Sequence, residues 1–122
     1  MPRIITKALN DLSSYDYTLK HLAIINQLLP TQLSNKELEV LAAFMDQPRE
    51  RVSDDRFNPI VRKDVMTRLN LSSGGLSNHL RSMIEKGFLD KSDITKRIKI
   101  KEFLFPQELV QGYQIKIEKK NG

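Results

Sequence analysis

The sequence predicts an α+β fold, mainly helical: a three-helix core closed by a β-hairpin and preceded by an extra N-terminal helix. Three observations predict it. Apolar residues recur at helical spacing in segments that carry their own start and stop signals. Residues 62–89, RKDVMTRLNLSSGGLSNHLRSMIEKGFL, read as two short helices joined by a tight turn, the second stopped by Gly87. Beyond Gly87 the pattern changes to alternation, as half-buried strands require. With 122 residues and 39% apolar side chains the chain can build one core without staples. We divide it into an N-terminal arm and helix over 1–32, for packing or oligomerisation, and a main domain over 33–122.

The first helix is expected from Thr18 to Leu29, ended by Pro30, because Leu12, Tyr15, Leu19, Leu22, Ala23, Ile25 and Leu29 recur at spacings of three and four. Ile24 and Leu28 widen its apolar stripe beyond one face. Ile4, Ile5 and Leu9 precede it without a strong pattern. The next start signal is a capping box, Ser34 and Glu37, with Leu33 and Leu38 as its hydrophobic staple. That helix is expected to bury Leu38, Leu41, Ala42 and Met45. Residues 46–57 are charged and aperiodic, an exposed loop anchored at its far end by Phe57. Asn58 then caps a helix with Pro59 at its first position and Ile60, Val61, Val65, Met66 and Leu69 on its buried side.

In Leu69-Asn70-Leu71-Ser72, Asn70 suits a left-handed turn position and Ser72 caps the following helix. Leu76, Leu80, Met83 and Ile84 give that helix its buried stripe, and Phe88-Leu89 begin the next element. Its outward face carries Ser73, Gly74, Ser77, Asn78 and Arg81. Small residues permit close approach, Asn can bridge adenine, Arg can bridge guanine, and no carboxylate near the helix start repels phosphate. Two strands are expected further on. Arg97–Lys101 points Ile98 and Ile100 one way and three cations the other, and Tyr113–Glu118 aligns Tyr113, Ile115 and Ile117. The connection between them, FLFPQELVQG, is apolar and too long for a tight hairpin.

The stretch LNLSSGGLSNHLRSMIEKGFL resembles the winged helix-turn-helix superfamily, including MarR-like regulators and small phage or plasmid proteins, and the resemblance covers roughly residues 33–119. It implies a three-helix core with a β-hairpin wing, and double-stranded DNA as partner. By position it implies base contacts from Ser73, Ser77, Asn78 and Arg81, and backbone contacts from a wing bearing Arg97, Lys99 and Lys101. Arg62, Lys63, Gly74 and His79 complete the expected phosphate-contacting set. The sequence departs from the family in its glycine pair, Gly74-Gly75, and in its long apolar connection. Its overall cast is also similar to small proteins of tailed phages.

Composition narrows the function classes. The net charge of +5 is uneven. Residues 30–58 carry four basic and six acidic groups, 60–86 five basic and two acidic, and 91–122 eight basic and four acidic. The excess therefore lies on the helix pair and the segment behind it, as a polyanion-facing surface requires. No cysteine is present, which excludes disulfides and thiolate metal sites. The N-terminus does not have the form of a signal peptide and no run is long enough to span a bilayer, so a cytoplasmic protein is expected (host cytoplasm or virion if phage-encoded). His21 and His79 lie in separate helices without metal-ligand spacing. Gly74-Gly75 lacks the Lys-Ser/Thr of a phosphate loop, and Asp54-Asp55 reads as a solvated pair. Tyr15 and Tyr17 belong to helix packing. We therefore expect no enzyme and no cofactor.

Three functions remain open from sequence. The first is a DNA-binding regulator of transcription or replication. Phosphate contacts from Arg62, Lys63, Arg97, Lys99 and Lys101 would give a log K against log salt slope near −4 to −5. The second is a winged helix used as a protein-protein module in a phage or viral assembly, or as a homodimer, through the N-terminal helix and the apolar segment 103–109. The third is a regulator with an effector pocket between the N-terminal helix and the core.

Overall fold

The computed structural model describes residues 13–52 and 55–106. Four helices come first: α1 (Ser14–Leu28), α2 (Asn35–Met45), α3 (Pro59–Leu69) and α4 (Ser73–Glu85). An antiparallel pair follows, β1 (Leu89–Lys91) and β2 (Ile98–Ile100), with 3-10 turns at Arg49–Arg51 and Glu102–Leu104. The architecture is thus α+β and mainly helical, with the layout expected from sequence. The expected strand Tyr113–Glu118, the apolar residues Ile4, Ile5 and Leu9, and residues 107–109 of the apolar segment lie outside the described residues.

Helix α2 is the centre of the core. Val40, Leu41, Ala42, Ala43 and Phe44 are all buried, and α1, α3 and α4 each pack against it. Its start is the expected capping box. The Glu37 amide donates to Ser34 Oγ at 3.2 Å, and Glu37 Oε1 accepts from the Ser34 amide at 2.9 Å. Both staple residues, Leu33 and Leu38, are buried, while Met45 is only partly so. At the other end, Arg56 donates to the carbonyls of Phe44 and Met45 and stands over the Phe105 ring. Beside it Phe57 is buried and stacks on Phe44 with centroids 4.4 Å apart. The charged loop is therefore fastened where the sequence placed its anchor.

Helix α1 begins at Ser14 rather than Thr18. Ser13 accepts from the Asp16 amide, and Asp16 lies in the first turn, where the helix dipole favours a carboxylate. Its buried face is more polar than the periodicity implied: Thr18, His21 and Asn26 are buried with Leu22, while Ile24 and Leu28 are exposed. Each buried amide and imidazole has a backbone partner. Asn26 Nδ2 donates to the Leu33 carbonyl at 3.1 Å and Asn26 Oδ1 accepts from the Leu33 amide at 2.8 Å, clasping the α1–α2 turn. His21 Nε2 donates to the Leu104 carbonyl at 2.9 Å.

Helix α3 starts as expected, with the Val61 amide donating to Asn58 Oδ1 and Pro59 in the first turn. It buries Val61 and Val65, but Ile60 is 70% exposed, which corrects its expected place in the buried stripe. One residue is about 100° around a helix, so the Val61 and Val65 pair that fills the core turns Ile60 outward.

The described hairpin is formed by the strand that leaves Gly87. The partner of β2 is Leu89–Lys91, with Leu89 opposite Ile100, Asp90 opposite Lys99 and Lys91 opposite Ile98. The chain leaving Gly87 returns through a short loop, whose closure costs little entropy. Leu104 is fully buried and Phe103 is 55% exposed, so the apolar segment after β2 is divided between core and surface.

Among the described residues Glu37 is the carboxylate held farthest from its ordinary pKa. Burial disfavours its charge, but the hydrogen bonds from Lys86 Nζ and the Ser34 amide, both to Oε1, outweigh that and hold its pKa down to about 2, although Oε2 is buried with no hydrogen-bond partner. Its contribution to stability is complete above its ordinary value of 4.5 and disappears as pH falls toward 2. Burial also lowers the pKa of His21 from 6.5, so its share is complete above 6.5 and declines as the unfolded chain takes up the proton below that pH. Urea melts should show stability falling on acidification in both ranges. Glu37→Gln should cost about 2–3 kcal/mol near neutral pH, and should flatten the dependence below pH 4.5.

Candidate nucleic-acid interface

The α3–α4 turn is built from backbone requirements that few residues meet. Asn70 adopts φ 53, ψ 52, and the Leu71 amide reaches back to the Met66 carbonyl at 2.9 Å. Ser72 then accepts from the Gly75 amide at 3.0 Å and starts α4. At the far end Gly87 takes φ 86, and the Phe88 amide donates to the Met83 carbonyl at 3.0 Å. Leu76, Leu80 and Met83 are buried, with Ile84 packed against them. The opposite face carries Ser73, Gly74, Ser77, Asn78 and Arg81, all exposed. His79 is half-buried beside them.

Two neighbouring residues of α2 hold this pair of helices. Lys36 Nζ donates to the Leu69 carbonyl at 3.2 Å, at the end of α3. Glu37 Oε1 accepts from Lys86 Nζ at 2.8 Å, at the end of α4. The sequence reading used Glu37 only for its local cap. A lysine that far along the chain gives no sequence signal of where it will land.

The expected phosphate-contacting residues divide into two groups. Lys63, Arg97 and Lys99 are exposed, and no ion pair among the described residues engages them. Arg62 and Lys101 each have a partner within the chain. Arg62 Nε donates to the Phe57 carbonyl, and Lys101 Nζ lies 3.0 Å from Asp90 Oδ1. Asp90 sits opposite Lys99 in the pair, so it tempers the positive row of β2, an effect the alternating pattern alone did not disclose. Beside β2 runs an open cleft of about 380 Å³, lined by Asp55, Phe57, Arg97, Lys99 and Phe105 among others.

The described helices include none long and apolar enough to cross a membrane. The chain matches no family model, no curated protein and no solved structure. What it does must be argued from this geometry.

The two glycines at the start of α4 are not equivalent. A Cβ at Gly74 would meet nothing within 4 Å, whereas one at Gly75 would lie 3.1 Å from the capping Ser72 Oγ. Gly74→Ala should therefore raise stability by about 0.5–1 kcal/mol in urea melts, and Gly75→Ala should fall short of that gain because the cap must shift.

Proposed function

We propose that this chain is a DNA-binding winged helix-turn-helix protein, acting as a regulator of transcription or replication, with α4 as its recognition helix and the β1–β2 hairpin as its wing. One observation carries the reading. The ridge Ser73, Ser77, Asn78 and Arg81 is exposed on a helix whose other face packs on the core, whose C-terminal end is tethered through Lys86, and whose preceding helix is tethered through Leu69. A helix held this way can enter a major groove without reordering, and its small residues let the backbone come close. In this reading Asn78 and Arg81 read base edges, Ser73 and Ser77 supply shorter contacts, and Gly74 lets a phosphate approach the helix start. His79, at the edge of the ridge, is placed to reach a phosphate.

Lys63, Arg97 and Lys99 supply the nonspecific attraction. With Arg62 and Lys101 engaged elsewhere, about three phosphates are neutralised, so log K should fall against log salt with a slope near −3 rather than −4 to −5. A mobility-shift titration of mixed-sequence duplex across salt concentrations measures it, and no retardation at low salt would remove the proposal. Asn78→Ala and Arg81→Ala should each reduce preference for selected over random sequence by about 1–3 kcal/mol. Gly74→Ala should weaken DNA binding although it stabilises the fold, a separation that a purely structural glycine would not give.

A second reading, a module for protein assembly or a homodimer, draws on the exposed side chains of Ile24, Leu28, Ile60 and Phe103. Light scattering on the purified chain distinguishes them. A dimer whose mass survives Leu28→Lys contradicts an α1 interface, and a dimer lost in that variant supports it.

A further inference from the structure

Helices α3 and α4 are fastened to α2 unevenly. The end of α3 has two polar ties. Lys36 Nζ donates to the Leu69 carbonyl at 3.2 Å, and a guanidinium nitrogen of Arg68 lies 3.8 Å from Oδ2 of Asp46, the C-cap of α2. Helix α4 is tied less. Among the described residues, the pair of Lys86, its C-cap, with Glu37 is the single ion pair that joins it to another helix. The rest of its hold on the body is the apolar stripe Leu76, Leu80 and Met83. Apolar contact is non-directional, so it selects the buried face of a helix more strongly than the helix tilt.

Stability alone does not explain the pair. A carboxylate buried with an ammonium can often be exchanged for apolar residues without loss, because desolvation of both charges offsets their attraction. What the pair supplies is one geometry. Glu37 is buried and held by its cap on α2, and its Oε1 keeps Lys86 Nζ at 2.8 Å. Leverage makes that geometry matter for the outward ridge. At about 1.5 Å per residue, Arg81 lies about 12 Å along α4 from Ser73, and Lys86 about 20 Å. If the helix swings at the Asn70 turn, a shift of about 1 Å at Lys86 moves Arg81 by about 0.6 Å. A two-point contact with a base edge tolerates a displacement of only about 0.5 Å.

We propose that Glu37 and Lys86 are positioning residues that set the sequence preference of α4 without touching DNA. This rests on the DNA-binding reading above. It adds to that reading a determinant outside the ridge of Ser73, Ser77, Asn78 and Arg81.

The test begins by selecting, from a random pool of duplexes, the sequence that the wild-type chain prefers. Mobility-shift titrations then give the affinity for that duplex and for a random one, well below the lowest melting temperature of the set. The variants are Lys86→Met, Lys86→Arg, and Lys86→Met combined with Glu37→Gln, which keeps an acceptor for the Ser34 amide. Lys86→Met and the double variant should keep random-duplex affinity within about twofold and an unchanged salt slope, since no phosphate contact is removed. Their preference for the selected duplex should fall about 10- to 100-fold, and a repeated selection should return a weaker or different sequence. Lys86→Arg should recover most of the preference, because it restores the ion pair. Where Lys86→Met strands the Glu37 charge and fails to fold, the double variant, uncharged at both positions, decides the question. Wild-type preference in the folded variants overturns the positioning role and leaves the DNA reading standing. A slope lowered by about one in Lys86→Met also overturns it, in favour of a direct phosphate contact. A wild-type chain that binds every duplex equally removes base reading with it, and no retardation of any duplex removes the DNA reading as well.

Discussion

The geometry of the α3–α4 pair depends on the first turn of α2, where Lys36 and Glu37 stand side by side. Lys36 grips the carbonyl that ends α3, and Glu37 grips the ammonium that ends α4. The two anchors therefore bracket the whole second helix and the turn before it. Glu37 does this with the same oxygen that closes the cap of α2, so a local start signal and a long-range tether share one carboxylate. A buried charge of this kind is tolerated because two donors, one of them an ammonium, converge on Oε1. Their convergence is also what keeps it ionised far below the usual carboxylate range.

Because α4 is held at its C-terminal end and by Leu76, Leu80 and Met83, its outward residues contribute little to packing. That explains how a glycine and two serines can stand on a helix that remains well formed. The same division applies to charge. Lys36, Arg56, Arg68, Lys86 and Lys101 are spent on carbonyls or carboxylates, Arg68 pairing with both Asp64 and Asp46. Lys63, Arg81, Arg97 and Lys99 are exposed instead. Net charge alone overstates the attractive surface, and the structure separates cations that build the fold from those that face solvent.

Signals confined to a few neighbouring residues were legible in the sequence. Ser34 with Glu37, Asn58 with Pro59, Asn70, Ser72 and Gly87 each act on backbone groups within one turn, and each does so in the structure. The open ridge of α4 was legible for the same reason, since helical spacing turns Asn78 and Arg81 away from Leu76 and Leu80 once the helix is fixed. Features that depend on distant partners were not legible. Nothing near Asp90 announces Lys101, and nothing near Ile98 announces that its strand pairs with Leu89–Lys91.

The orientation of α1 shows how polar contacts can override the apolar pattern. By hydrophobicity alone, rotating α1 to bury Ile24 and Leu28 would gain about 1.5–3 kcal/mol for each side chain fully covered. The same rotation would withdraw Asn26 from both backbone groups of Leu33 and His21 from the Leu104 carbonyl. Each buried polar group left unsatisfied costs about 1–3 kcal/mol, and such a rotation strands polar atoms on both sides of three bonds. The hydrogen-bonded arrangement therefore prevails, and Ile24 and Leu28 remain at the surface as its consequence. The apolar strip on α1 is set by what Asn26 and His21 must reach, which makes it a fixed feature of the fold that any partner of this helix would meet.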